Sequence, residues 1–275
     1  MSYEIGFLKL RFTVEEGSKK EYFLKKIVQT EDNIKRSCAK LLKKKIPYIK
    51  HSVSINNQQF YFCDITFSRS YTGIVKEIEN DCYGFSKINF KENDIVIDIG
   101  ANIGLVSIYL AKKYPFLKIY SFEPFKENYA CLIKNIEINN IPKGTITPFN
   151  LAVTKDNRNV VMKTNDILDS GSFTVNFEKS KLESNHKDIV KSTTLNKIIE
   201  TVLAENKQDH VKLLKMDCEL SEYEILNNTK TENLKKISYL GAEFHAKKNF
   251  GNPDDLEAYV KKYIPNITIT KCSLD

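Results

Sequence analysis

The run Ile95-Val96-Ile97-Asp98-Ile99-Gly100-Ala101-Asn102-Ile103-Gly104, followed by Ile119-Tyr120-Ser121-Phe122-Glu123-Pro124, decides the fold. Ile95, Val96, Ile97 and Ile99 form a short β-rich apolar run between the Asn93-Asp94 turn signal and Gly100, which reads as a buried parallel strand. A glycine turn then opens a helix. Gly100 and Gly104 let the backbone approach a ligand at the carboxyl end of the strand, where open α/β sheets bind nucleotides. The next strand, residues 117–122, ends in Glu123, where such sheets place an acid on ribose hydroxyls.

What is missing narrows the ligand. The loop lacks the G-x-G-x-x-G of a dinucleotide site and the Lys-Ser/Thr pair of a phosphate-binding loop. It has two glycines four apart, preceded by Asp98, and so offers a carboxylate in place of a phosphate nest. A carboxylate suits a cationic ligand end, such as the amino group of the methionine moiety of S-adenosylmethionine.

Outward from this unit, strands and helices alternate, which predicts a doubly wound, mostly parallel α/β sheet. Strands are expected at 146–153, 160–163, 189–194, 211–216, 237–244 and 267–269, and helices from Pro124 through Asn139, at 195–203, after Asp217 and from Asn252. Turn-rich stretches are expected at 165–172 and 178–187. Residues 1–70 form an N-terminal α+β extension, with a strand near Phe7 to Val14, a charged helix over 21–45 and a hairpin turning at Asn56-Asn57. The main domain then covers 71–275. A helix-like run over 72–86 brings Tyr83 to the mouth of the crevice.

A second group of residues lies at strand ends. Asp217 and Glu219 are two apart, as are Glu243 and His245 on the next strand, so each pair shares a face where strand geometry persists. Three acids and an imidazole beside a bound cation allow a general base, His245 or Asp217, for an acceptor hydroxyl. They also allow a hard divalent cation held by Asp217, Glu243 and His245 that activates the hydroxyl. The plainer alternative is an acid capping the following helix and a hydrogen bond between Glu243 and His245. Glu222 and Glu224 are expected on a solvated helix surface.

The chain has 275 residues and a formal net charge of +7, but its lysines are spread along the whole length, densest around Lys40 to Lys50. That distribution describes a solvated basic surface rather than a nucleic-acid footprint. Six scattered cysteines form no C-x-x-C pair and no zinc spacing. No leader-like segment or membrane-length apolar run stands out, so a cytoplasmic protein is expected.

Several segments together resemble the FkbM-type S-adenosylmethionine-dependent methyltransferases, many of which methylate sugar hydroxyls. They are VIDIGANIGLVSIYLA from Val96, YSFEPFKENYACLIKNI from Tyr120, NLAV from Asn150, SGSF from Ser170, LLKMDCELSEYEIL from Leu213 and AEFH from Ala242. The resemblance implies a Rossmann-like class I methyltransferase with a seven-stranded sheet. It makes Asp98, Gly100, Asn102 and Gly104 the methionine-side loop, Glu123 the ribose ligand, and Asn150 and Ala152 neighbours of the adenine. Asp217, Glu219, Glu243 and His245 would face the acceptor, with Ser172 and Tyr83 beside cofactor or acceptor by position. The implied acceptor is a small-molecule or nucleotide-linked sugar, such as a surface or capsular polysaccharide precursor, with Mg, Mn or Fe(II) as the candidate metals and a homodimer as a candidate assembly. One departure stands out: the family has glycine after the Glu of its K-x-D-x-E-G motif, and this chain has Leu220. An RNA methyltransferase and a non-catalytic binding scaffold are the alternative readings; against the first, the sequence shows no Asn-Pro-Pro-Tyr-type motif and no basic-aromatic stripe.

Overall fold

The computed structural model describes residues 2–5, 10–13, 19, 48–65, 70–164, 172–175, 188–246 and 251–273. The helix expected over 21–45 lies outside the described residues, as do the expected turn over 178–187 and that over 165–172 up to Ser172, which opens a strand instead. In chain order, β1 (Ser2–Ile5) pairs antiparallel with β2 (Leu10–Thr13), and β3 (Tyr48–Ile55) with β4 (Gln58–Ile65). Asn56 and Asn57 turn the second hairpin at φ +49° and +63°, the pair of left-handed residues that a tight two-residue turn requires. Helix α1 (Ser70–Glu79) then leads to the alternating unit β5 (Ile95–Ile99), α2 (Leu105–Lys113), β6 (Lys118–Phe122), α3 (Lys126–Ile138) and β7 (Ile146–Phe149).

Short strands follow: β8 (Ala152–Thr154), β9 (Val160–Thr164), β10 (Ser172–Val175), β11 (Asp188–Val190) and β12 (Ser192–Thr194). The chain continues through α4 (Leu195–Asn206), β13 (Val211–Met216), α5 (Ser221–Asn227), α6 (Thr231–Leu234), β14 (Ile237–Ala246), α7 (Pro253–Val260) and β15 (Asn266–Ser273).

Among the described residues the central sheet has six strands, ordered β15-β14-β13-β5-β6-β7, and every pairing in it is parallel. The expected number was seven, and the expected strand over 146–153 is two strands. Asn150 explains the break: its Nδ2 donates to the carbonyls of Glu123 and Pro124, both at 2.9 Å. That side chain turns the path out of the sheet, and β8 pairs instead with β12 in a separate parallel ladder. The strand order reverses between β5 and β13, which opens a crevice at the carboxyl end of β5.

Both faces of the sheet are buried, as the continuous apolar runs require. Ile95, Ile97, Ile99, Leu214, Met216, Ala242 and Phe244 face α4, while Val96, Leu213 and Ile119 face α2 and the hairpin residues Phe60 and Phe62. Asn135 of α3 gives the hairpin a partner edge, accepting from Cys63 N at 2.6 Å and donating to Cys63 O at 3.0 Å. The extension's hairpin is thus part of the same core.

Candidate active site

One row of residues crosses the sheet interior on the α2 face. Register pairs Ser121 with Asp98, Asp98 with Lys215, and Lys215 with Gly241. Because these positions are direct cross-strand neighbours, their side chains must satisfy one another. Asp98 is 0% exposed: Ser107 Oγ donates to its Oδ2 at 2.6 Å, and Lys215 Nζ stands 3.3 Å from its Oδ1. The Lys215 ammonium also donates to Gly100 O at 3.0 Å and lies 4.0 Å from Asp217 Oδ2. Burial pushes the Lys215 ammonium toward release of its proton, but Asp98, Asp217 and Glu77 overcome this and raise its pKa. One buried ammonium therefore ties the glycine loop to the acidic strand end.

The glycine loop is shaped by the chain's own contacts. Gly100 sits at φ +77° and a Cβ there would lie 1.8 Å from Asp217 O; at Gly104, φ +86°, a Cβ would lie 2.2 Å from Leu132 Cδ1. Both positions need glycine for fold geometry before any ligand is considered. Asn102 is also left-handed, at φ +52°, and its N–H donates to Glu123 Oε2 at 2.8 Å. Glu123 Oε1 accepts from Phe125 N at 2.9 Å. Burial raises the Glu123 carboxyl to about 7 against the lowering effect of these hydrogen bonds.

Asp98, Gly100, Asn102, Gly104, Glu123 and Asn150 thus converge at the carboxyl ends of β5, β6 and β7, and Ala152 is buried at the start of β8. Ser172 opens β10, opposite Thr164; its side chain lies outside the described part. Each engaged carboxylate oxygen keeps a further lone pair, so Glu123 retains capacity for ribose hydroxyls. The donor set fits a nucleoside carrying positive charge: acids line the crevice, and Lys215, the ammonium among them, is 3% exposed.

On the acceptor side, His245 is the centre. Its ring is 4% exposed; Nδ1 lies 3.0 Å from Glu222 Oε1, and Nε2 faces Glu243 Oε1 at 3.5 Å, Glu219 Oε2 at 3.8 Å and Asp217 Oδ1 at 3.9 Å. Burial alone would depress the imidazole. The Glu222 hydrogen bond and the charges of Glu222, Glu219 and Asp217 outweigh it and raise His245 to about 9. Burial likewise raises Glu219 to about 7, with Asp217, Glu222 and Glu243 adding to the shift and His245 opposing it.

Glu222 and Glu224 correct the sequence reading, which put both on a solvated surface. Glu222 is 0% exposed and also accepts from Cys218 N at 3.0 Å, while Glu224 accepts from Arg158 Nη2 at 2.7 Å and 2.8 Å. The signal was present in sequence: α5 begins at Ser221, so Glu222 lies in its first turn, beside the strand-end acids. Nor does Glu243 hydrogen-bond His245, as the plainer reading had it; Glu222 is that partner.

Glu77 of α1 was not anticipated. Tyr83 OH lies 2.9 Å from Glu77 Oε2 and 3.3 Å from Asp217 Oδ2. Tyr83 reaches this position because Gly241 has no side chain; a Cβ there would lie 2.5 Å from Tyr83 O. Two triads of ligating atoms result, Asp217-Glu222-His245 and Glu77-Asp217-Glu243, each with its atoms within 4.8 Å of one another. Glu219 and Leu220 carry φ of +51° and +73° at the turn into α5. Leu220 therefore holds the left-handed conformation that glycine adopts freely and a side chain resists.

The chain is similar to several known proteins. Over 72 residues the chain is 43% identical to "Methyltransferase sdnD" of Sordaria araneosa, and over 69 residues 35% identical to "Methyltransferase 1" of Beauveria bassiana (strain ARSEF 2860). These matches cover 26% and 25% of this chain and 27% of each relative, so the chain spans about a quarter of their length. Among solved structures, "StiE O-MT residues 961-1257" aligns with a TM-score of 0.40 at 9% identity, covering 70% of this chain and 53% of that one. Residues 98–263, more than half of the chain and the span holding Asp98, Glu123, Asp217 and His245, match the methyltransferase FkbM domain, and the chain belongs to that family of methyltransferases.

Proposed function

We propose that the chain is an S-adenosylmethionine-dependent O-methyltransferase acting on a sugar hydroxyl. The observation that carries this reading is His245, held by Glu222 at 3.0 Å and turned with Nε2 toward Asp217, Glu219 and Glu243 beside the Asp98 loop. Bound S-adenosylmethionine supplies the electrophilic methyl group. The loop from Gly100 to Gly104 and Glu123 hold the nucleoside; the acids across the crevice favour its sulfonium. As the acceptor oxygen bonds the methyl carbon and the carbon–sulfur bond breaks, the hydroxyl proton goes to His245 Nε2. In the chain alone His245 holds a proton at neutral pH. A positive charge placed among the acids offsets their pull on the imidazole and returns it to its basic form.

The acceptor side presents carboxylates to the substrate, which suits the neutral hydroxyls of a sugar ring and repels a phosphate. A nucleotide-linked acceptor would extend its diphosphate away from Glu77, Asp217 and Glu243. A divalent cation held by Asp217, Glu243 and His245 is the second means of activating the hydroxyl.

The test is calorimetric titration with S-adenosylhomocysteine, using NAD as control. Binding exclusive to S-adenosylhomocysteine, lost in an Asp98→Ala variant that circular dichroism shows to be folded and kept in His245→Ala while turnover disappears, supports the reading. Equal loss of binding in both variants would overturn the division of roles.

A further inference from the structure

Strand β14 runs further than the strand beside it. Its register with β13 ends where Met216 pairs with Ala242, while β14 continues to Ala246, opposite Ser273 of β15. Among the described residues, the overhang over 243–246 therefore has β15 as its one strand neighbour. It carries Glu243 and His245. A strand end with one ladder in place of two opens more easily than the middle of the sheet, yet a working group has to be held to within about 0.5 Å of its productive position.

Helix α5 holds this end with two adjacent residues. Glu222 Oε1 lies 3.0 Å from His245 Nδ1, and Tyr223 OH donates to the His245 carbonyl at 3.0 Å. The two bonds constrain different motions. With Glu222 alone, the ring could pivot about Nδ1 as the strand end moved; the Tyr223 bond fixes the backbone from which the ring projects. Tyr223 is itself held in place, packed against the core cluster that contains Met216 and Phe244. On its other side Gly251 approaches the ring so closely that a Cβ there would lie 2.3 Å from Tyr223 Cε1 and 2.5 Å from Cδ1. Gly251 is not among the left-handed glycines, so what its missing side chain provides is this close approach.

We infer that Tyr223 is a positioning residue for methyl transfer, its hydroxyl fastening the end of β14 so that His245 Nε2 stays where the acceptor's proton arrives. It acts on the acceptor only through His245. The role in turnover rests on the reading of His245 as the base; the clamp on the ring does not. Without the hydroxyl the carbonyl of His245 loses a donor in a buried setting, and the strand end shifts to find another. Misplacement of a reacting group by about 1 Å costs on the order of 10²-fold in rate.

The test is Tyr223→Phe, which removes one oxygen and keeps the ring against Gly251. On an accepted sugar, kcat should fall ~10-fold or more, while the KM for S-adenosylmethionine and the calorimetric Kd of S-adenosylhomocysteine stay within about 2-fold. A second readout needs no acceptor: the low-field proton resonance of the His245 Nδ1–H held by Glu222, assigned by its disappearance in His245→Gln, should shift or broaden in Tyr223→Phe. If Tyr223→Phe does not fold, Gly251→Ala, whose Cβ displaces the Tyr223 ring and leaves its hydroxyl intact, must produce the same pattern. Unchanged kcat, an unchanged resonance, or a loss of S-adenosylhomocysteine binding equal to the loss of kcat would each overturn the inference, the last by showing that the hydroxyl serves the whole fold. A wild-type chain that methylates no sugar refutes the proposed function instead, and the resonance then decides by itself whether Tyr223 holds the ring.

Discussion

Glu222 Oε1 stands 3.0 Å from His245 Nδ1 and at the same time accepts the Cys218 backbone N–H at 3.0 Å, so one buried carboxylate fixes both the imidazole and the turn that carries Asp217 and Glu219. The ring cannot rotate without giving up that bond, and Nε2 is thereby aimed at the other acids. Glu222→Gln keeps an oxygen for Cys218 but removes the charge behind the ring. Turnover should fall at least ~10-fold, within the ~10²–10⁴ that a positioned base supplies. S-adenosylhomocysteine binding should persist. Steady-state kinetics on an accepted sugar, paired with calorimetry, checks this; a variant with full turnover would mean that Glu222 serves the fold alone.

Asp98 and Lys215 should behave as one unit. Each is buried, and removing either leaves the other charge without its partner, a loss of about 3–5 kcal/mol in such pairs. Asp98→Asn and Lys215→Met should therefore each destabilise strongly, and the double variant should recover part of the loss. Urea denaturation of the four proteins measures the coupling. Additive losses would show that Gly100 O and Asp217, rather than Asp98, are what Lys215 serves.

Leu220 offers a test in which two residues exchange their usual order. In a helix interior glycine is less stable than alanine by about 1 kcal/mol. At φ +73° alanine keeps the left-handed strain of about 1–2 kcal/mol, while glycine relieves it. Both substitutions give up the packing of a buried side chain. Leu220→Gly should accordingly be more stable than Leu220→Ala by about 1 kcal/mol, read from thermal or urea unfolding. The opposite order would mean that the turn relaxes to a negative φ when the leucine is removed.

The order of these elements was legible because it rests on local signals. Continuous β-branched runs give buried parallel strands, and Val211 to Met216 was placed to the residue. The Asn56-Asn57 turn has its own backbone signature. The ends of elements were less readable because they depend on partners distant in sequence. Asn150 ends β7 by bonding the carbonyls of Glu123 and Pro124, and no periodicity encodes that. The site divides in the same way. Asp217, Glu219, Glu243 and His245 announce themselves by strand-end spacing, whereas Glu77 reaches them through Tyr83, which lies 134 residues before Asp217 in the chain. Glu222 was misread because a charged residue in a first helical turn usually faces water, and here α5 starts inside the crevice.

The pH dependence of stability follows from the same crowding of acids. Glu123 and Glu219 have folded-state values of about 7, raised chiefly by burial, and His245 about 9, raised by its carboxylate neighbours against burial. In each case the folded chain holds its proton to a higher pH than the unfolded chain does. Stability from such groups is complete below the unfolded value and is lost as pH rises through the folded one. The two carboxyls act between their unfolded value near 4.5 and about 7, and the imidazole between 6.5 and about 9. With a chelator present and no cofactor, the melting temperature should therefore decline from mildly acidic to alkaline pH. Glu219→Gln should flatten the lower part of the decline and His245→Gln the upper part. A melting temperature that rises from pH 5 to pH 9 without ligand would show that these protons are not what balances the buried charge.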